Sequence, residues 1–345
     1  MALHNRINSR ILKEKLHTTR QDRSTLSFYK YARIDDPAYW RDQLYIGFSA
    51  LETLGRVYIA SEGVNAQVSI PNSRKADFRN YVDSIPFLAG VRLNFAVDDN
   101  GKSFFKLKVV RKKKILADGL DDSSFDVTQT GPHVDALEFN RLADEPNTII
   151  VDMRNHYESE VGHFRNALLP DVDTFREELQ VVEDLLVNHR DKNILMYCTG
   201  GIRCEKASAW MRHKGFNNVY QLRGGIIEYA RQVKEQKIEN KFIGKNFVFD
   251  ERLGERITDD IISTCHQCGT PCDDHTNCRN DGCHLLFIQC PSCKAKYDNC
   301  CSEACAQIVK LPEERQRELR RGLSKGRQVY RKGRRDKIVT KTERS

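Results

Sequence analysis

Apolar and polar residues alternate across Thr25–Ile34 (TLSFYKYARI), a strand pattern, and the spacing then lengthens to helical intervals from Pro37 to Leu54. GRVYIA and VNAQVSI predict two strands around a tight connection at Ser61, Glu62 and Gly63. SRKADFRNYVDSI predicts a second helix, and VRLNFAV and FFKLKVVRKKKIL predict strands after it. From Asn147 the rhythm changes. TIIVDMR, NILMYC and VYQLRGG read as buried strands, separated by the helical stretches FREELQVVEDLLVN and CEKASAWMRHKGF and followed by IIEYARQVKEQ.

The first order, β-α-β-β-α-β with room for an extra strand, predicts a ferredoxin-like (acylphosphatase-like) α+β domain, a sheet with two helices on one face. The second predicts an α/β domain with a parallel sheet covered on both faces, whose ligands bind at the carboxyl ends of the strands. The chain thus divides into a leader at 1–20, the ferredoxin-like domain at 21–115, a linker at 116–145 rich in Asp, Ser and Gly, the parallel-sheet domain at 146–240, a Cys-rich module at 241–311 and a basic tail at 312–345. At 345 residues, two or three domains are expected from the usual size of roughly 100 to 200 residues each. No apolar run approaches the ~20 residues of a membrane span. The N-terminus lacks the apolar core of a secretory signal, so a cytoplasmic protein without membrane partners is expected.

Charge changes the picture at the far end. The net charge is +8, and Glu313–Ser345 alone holds 13 Lys or Arg against 5 Asp or Glu. That segment is too polar for a core of its own; it reads as a disordered tail suited to a polyanion, or as a solvated, solubilising one. A second cationic stretch, KSFFKLKVVRKKK, sets Phe104 and Phe105 beside Lys106, Lys108, Arg111, Lys112, Lys113 and Lys114. Aromatics among cations stack bases while neutralising phosphates, which makes these six candidate RNA contacts. The plainer reading is an edge strand whose charges prevent aggregation.

The sharpest chemistry lies in NILMYCTGGIRCEKASAW. Cys198 leaves a strand and enters a helix through Thr199, Gly200, Gly201 and Ile202, with Arg203 closing the turn. The glycines can turn backbone N–H groups inward, the helix offers its positive end and Arg203 adds a full charge. All three favour a thiolate over a packing cysteine. Residues 147–235 resemble a rhodanese domain: VDMRNHYESEVGHFRNALLP, YCTGGIRC and LRGGI match its successive motifs. The resemblance implies a persulfide carried on Cys198, cradled by residues 199–203, with Asp152 and Arg154 organising the loop. Related phosphatases use a cradle one residue longer, and the four residues between Cys198 and Arg203 suit sulfur better than phosphate. Cys204 reads equally as a resolving thiol or as a buried helix residue.

The other ten cysteines crowd between Cys265 and Cys305. Two C-x-x-C pairs, Cys265/Cys268 and Cys290/Cys293, are 21 residues apart, just beyond the usual ~15 to 20 of a four-thiolate zinc ribbon. One zinc on those four is expected, with an iron–sulfur cluster as the alternative. The remaining six, with His266, His275 and His284, could supply a second site whose membership spacing does not settle.

Together, the ferredoxin-like domain, the CTGGIRCEKA loop and the cysteine cluster, with FYKY, EGVNAQVS, GKNFVFDER, CHQCG and CHLLFIQC, resemble the bacterial tRNA uridine(34) hydroxylase family over nearly the full chain. That resemblance implies a tRNA partner and oxygen-dependent hydroxylation of the wobble uridine at C5, with molecular oxygen as co-substrate. The residues themselves show no dinucleotide fingerprint for flavin or NAD and no two-histidine, one-carboxylate iron motif, and they do not identify a sulfur or electron donor. A persulfide-carrying sulfurtransferase and a zinc-dependent RNA-binding adaptor are the alternative readings.

Overall fold

The computed structural model describes residues 22–121 and 125–322, together with 332–335 and the isolated positions 3, 7, 11, 12, 14, 18 and 338. The leader and much of the basic tail therefore lie largely outside the described residues. The N-terminal sheet is built from β1 (Arg23–Tyr31), β2 (Leu54–Ala60), β3 (Gly63–Pro71), β4 (Asn94–Phe95) and β5 (Leu107–Arg111), in the order β4-β1-β3-β2-β5. Alternation fixes its two faces. Leu26, Phe28, Val57, Ile59, Val64, Ala66 and Val68 pack with Leu44, Phe48, Phe78 and Val82 of two helices, Pro37–Ala50 and Lys75–Ser84. The first of these helices starts where it does because Asp36 accepts from the N–H groups of Ala38 and Tyr39 and Pro37 occupies the first turn.

Neither of these two helices lies on the other face of that sheet. Its side chains fall into cross-strand rows, Ser27–Gln67–Arg56 and Tyr29–Asn65–Tyr58, as the register of β1, β3 and β2 requires. This polar, aromatic face turns toward the second domain. There β6 (His133–Val134), β7 (Thr148–Asp152), β9 (Asn193–Tyr197) and β10 (Val219–Leu222) form a parallel sheet in the order β6-β10-β9-β7, with apolar cores on both sides. β8 (Gly162–Phe164) leaves that sheet and pairs with β11 (Phe242–Asn246), which also pairs with β12 (Glu255–Arg256). The Cys-rich module is thereby knitted to the parallel-sheet domain and contains a hairpin of β13 (His275–Asn277) and β14 (Leu286–Ile288), followed by two short helices, Pro291–Lys296 and Glu303–Lys310.

Three expectations need correction. The segment read as a linker contains β6 and the helix Ala136–Ala143, whose Val134, Ala136, Phe139 and Leu142 belong to the parallel-sheet core; a two-residue strand is too short to show periodicity. The tail read as disordered contains the helix Glu313–Arg320, and Lys332–Arg334 docks back: the Gly333 N–H donates to the Leu286 carbonyl, and Lys332 lies 4.4 Å over the Tyr157 ring. Neither contact has a local sequence signal. In the basic stretch, Phe104 is buried beneath Arg56 rather than offered to bases.

Candidate active site

The loop after β9 carries Cys198 at the carboxyl end of the parallel sheet, where such sheets place ligands. Two glycines make its shape possible. Gly201, at φ +103°, donates its N–H to the Cys198 sulfur at 3.1 Å, and a Cβ there would lie 2.7 Å from the Tyr29 hydroxyl of the N-terminal sheet. Gly225, at φ +64°, lets the helix Gly225–Gln236 approach so closely that a Cβ would meet the Cys198 carbonyl at 2.4 Å; the Ile226 N–H donates to that carbonyl at 3.0 Å. The LRGG turn is thus a support for the cysteine loop.

Burial alone would push the Cys198 thiol up, yet its pKa falls to about 6 because the Cys204 thiol, the Arg203 charge and the backbone N–H groups of Cys204 and Arg203 outweigh it. Cys204 behaves oppositely. Burial and its neighbour raise its pKa well above the ordinary value, so it remains a thiol and donates to Cys198. The Arg203 guanidinium directs its hydrogen bonds elsewhere than to the sulfur. It makes a bidentate pair with the buried Glu158 at 2.6 and 2.8 Å and reaches Thr199 at 3.2 Å, acting on Cys198 through its charge. Ile202 begins the helix Ile202–His213, and a Cβ on Gly200 would meet the Ser27 hydroxyl at 3.8 Å, an ordinary contact.

Asp152 and Arg154 lie fully buried in a bidentate pair at 2.7 and 2.8 Å. Arg154 also donates to the Gly162 carbonyl and Tyr197 donates to Asp152, so the pair ties β7, β8 and β9 together beneath the loop. Glu158 lies in the VDMRNHYESEVGHFRNALLP motif but had no role assigned to it from the sequence, although the i, i+3 spacing of Asn155 and Glu158 is a capping-box signal for the turn that holds it.

Above the loop is a chamber of about 440 Å³ to which all three regions contribute. Cys198, Thr199 and Ile202 form its floor, Ser27, Tyr58, Asn65 and Gln67 its roof, and Phe249 and Arg252 one wall. Phe249 is exposed, and the Arg203 guanidinium lies 5.9 Å from its ring centre. The regions are fastened beside the chamber by Lys206, which is almost completely buried and pairs with Glu62 at 2.9 Å and Asp118 at 3.4 Å. Tyr29 adds a hydrogen bond to Glu205. The six cations of the basic stretch, the N-terminal domain's only candidates in the sequence, do not line the chamber; the outward half of the strand alternation was the available signal for the roof residues.

The cysteine module resolves into two clusters. The sulfurs of Cys265, Cys268, Cys290 and Cys293 converge within 4.8 Å of one another, and so do those of Cys278, Cys283, Cys301 and Cys305. Four thiolates at about 2.3 Å from one tetrahedral ion stand about 3.8 Å apart, so both donor sets fit a metal. Cys272 and Cys300 belong to neither set, and His266 is engaged by Glu160 at 2.8 Å. Of the six cations in the basic stretch, Lys108, Arg111, Lys112 and Lys113 are exposed along or just after the edge strand β5, and Lys106 is half-buried. Lys114 instead pairs with the buried Asp118.

Comparison with known proteins agrees with this division. The sequence matches an acylphosphatase-like domain description over residues 23–115, a rhodanese-like domain over 135–232 and a rhodanese C-terminal region over 243–306. It is 55% identical to the tRNA uridine(34) hydroxylase of Enterobacter sp. (strain 638) over 96% of each chain. It is 56% identical to that of Pectobacterium atrosepticum over 96% of this chain and 94% of the relative. A solved rhodanese-like domain from Anabaena sp. covers 33% of this chain and 79% of its own at 23% identity and a TM-score of 0.26, too distant to add to the argument. With near-complete coverage at more than half identity, the chain belongs to the tRNA uridine(34) hydroxylase family.

Proposed function

We propose that this protein hydroxylates the wobble uridine of tRNA at C5, with molecular oxygen as co-substrate, one oxygen atom entering the base and the other leaving as water with two electrons and two protons from an external reductant, and with Cys198 as the reactive group facing the base. The observation that carries the reading is the placement of a cysteine with a pKa of about 6 on the floor of a chamber roofed by a polar, aromatic sheet, in a chain of this family. A thiolate at neutral pH is a strong nucleophile, and the chamber suits a single base withdrawn from its stack. The exposed cations of β5 and the residues just after it, with the basic tail, are the proposed tRNA contacts in the cytoplasm. We assign zinc to both four-cysteine clusters, in a structural role, because the module has little apolar area with which to fold alone.

The test is a nucleoside profile by mass spectrometry of a strain lacking the protein, complemented with wild type or Cys198→Ser. Wild type restores 5-hydroxyuridine and the variant does not; an unchanged profile on deletion overturns the proposal. A second reading, persulfide transfer, is favoured by the loop itself, whose Gly201 N–H already points at the sulfur. It predicts that purified protein takes up sulfur from thiosulfate at Cys198 and that Cys198→Ser does not.

A further inference from the structure

Within the chamber roof, one side chain is oriented by a chain of hydrogen bonds that ends on a group of fixed polarity. Asn65 donates from Nδ2 to the backbone carbonyl of Ile115 at 3.2 Å. A carbonyl only accepts, so the Asn65 amide cannot be reversed, and its Oδ1 faces the neighbouring residue on the same face of β3. There it accepts from Gln67 Nε2 at 2.6 Å. That bond in turn fixes the Gln67 amide. Its Oε1 accepts no hydrogen bond from the described residues, and one Nε2 hydrogen is left over. Gln67 therefore presents to the chamber an acceptor beside a donor, in an order set by the protein.

We propose that Gln67, oriented by Asn65 and the Ile115 carbonyl, reads the Watson–Crick edge of an everted pyrimidine and selects uracil over cytosine. Uracil offers a donor at N3 and an acceptor at O4, which complement Gln67 Oε1 and the remaining Nε2 hydrogen. Cytosine offers an acceptor at N3 and a donor at N4, the reverse order. To match it the amide would have to turn over, breaking the hydrogen bond to Asn65. Side-by-side amide contacts of this kind are a common way for Asn and Gln to read bases. Contact through the N3–O4 edge leaves the C5–C6 edge unobstructed toward the floor that carries Cys198. Phe249, exposed on the wall, supplies a ring on which the base stacks. The volume of about 440 Å³ accommodates one nucleotide. Lys30 and Arg223 line a neighbouring cleft that meets the chamber at Gly200 and are placed for the flanking phosphates.

This inference rests on the proposed action on uridine 34, and binding is measured separately from turnover so that the two fail separately. The probes are anticodon stem-loop RNAs that differ only in U34 or C34, titrated at one fixed salt concentration. Wild type is expected to favour the U34 loop by roughly 10- to 100-fold. Gln67→Leu lowers U34 affinity toward that for C34, and Gln67→Glu, which keeps an acceptor, retains part of the preference. Asn65→Ala, which frees the amide to turn, narrows the ratio by a gain in C34 binding. Thermal melting and the Cys198 thiolate absorbance confirm that each variant keeps its fold and loop. If Asn65→Ala fails to fold, the two Gln67 variants decide. A wild-type ratio near one, or a ratio unchanged in the Gln67 and Asn65 variants, overturns the inference. Selective binding without 5-hydroxyuridine formation instead overturns the proposed function and leaves the base reading intact.

Discussion

The protein holds its cysteines in two opposite ways. Cys198 sits in a large apolar core, and its charge is held by backbone N–H groups, the Cys204 thiol and the nearby Arg203. The cysteines of the C-terminal module largely are the core: Cys265, Cys290 and Cys293 pack with little more than Tyr157, Val161, Phe247, Leu286 and Ile288. A single thiolate is stabilised by dipoles and one cation. Four converging thiolates are not, since each pair of unit charges at ~4 Å repels by about 4 kcal/mol at an effective dielectric constant of 20. On the proposed roles, the same side chain is made reactive by a protein-built cradle in one region and would be made inert by a metal ion in the other.

The most severe way to break that contrast is at the cradle. Cys198→Ser should abolish 5-hydroxyuridine formation while leaving metal content and melting temperature unchanged; a parallel loss of metal would mean the two regions are one site. Removing metal should do the reverse. A strong chelator, or Cys290→Ser, should release bound zinc and unfold the module, read by elemental analysis and loss of amide-exchange protection, while the parallel-sheet core stays protected. Two zinc ions per chain are expected, one per cluster, and visible absorbance from bound iron and sulfide would refute the zinc assignment.

Between these extremes, Glu158→Ala leaves the Arg203 charge buried without its partner and should cost about 3 kcal/mol in chemical denaturation, with Cys198 reactivity altered as the loop relaxes. A smaller effect follows from pH. Below a pKa of about 6 the Cys198 thiolate fraction falls ~10-fold per unit, so a rate limited by the thiolate rises with pH up to about 6 and then levels off. A profile that keeps rising to the ordinary thiol range would show that the cradle does not act in solution. The smallest effect is expected at the surface. Replacing Lys108 and Lys112 by Ala should weaken tRNA binding uniformly across sequences and make the salt dependence shallower, by about 0.9 in slope for each phosphate no longer neutralised.

Periodicity identified the fold classes because strand alternation and helical spacing are local. The five-strand N-terminal sheet and the longer strands of the parallel sheet lie close to where the pattern puts them. It missed β6, β8, β12, β13 and β14, each two or three residues long, because so short a strand is stabilised by its neighbours rather than by its own pattern, and it missed the five-residue β11, whose FIGKN sequence carries no apolar–polar alternation. The cysteine loop was legible for the same local reason, since thiol, glycines and arginine are consecutive. Glu158 was not, because its relation to Arg203 spans 45 residues.

The sequence by itself thus determined the domain types, the thiol loop with its glycine turn, and a set of metal-capable cysteines, all of which follow from residue identity at short spacing. Only the tertiary structure decided which four cysteines meet at each cluster, that Arg203 is held by Glu158, and that Lys206 fastens the N-terminal domain over the loop. It also decided the orientation of Gln67, which depends on Ile115, a carbonyl 48 residues further along the chain. Convergence of distant groups is set by packing, and no local pattern encodes it.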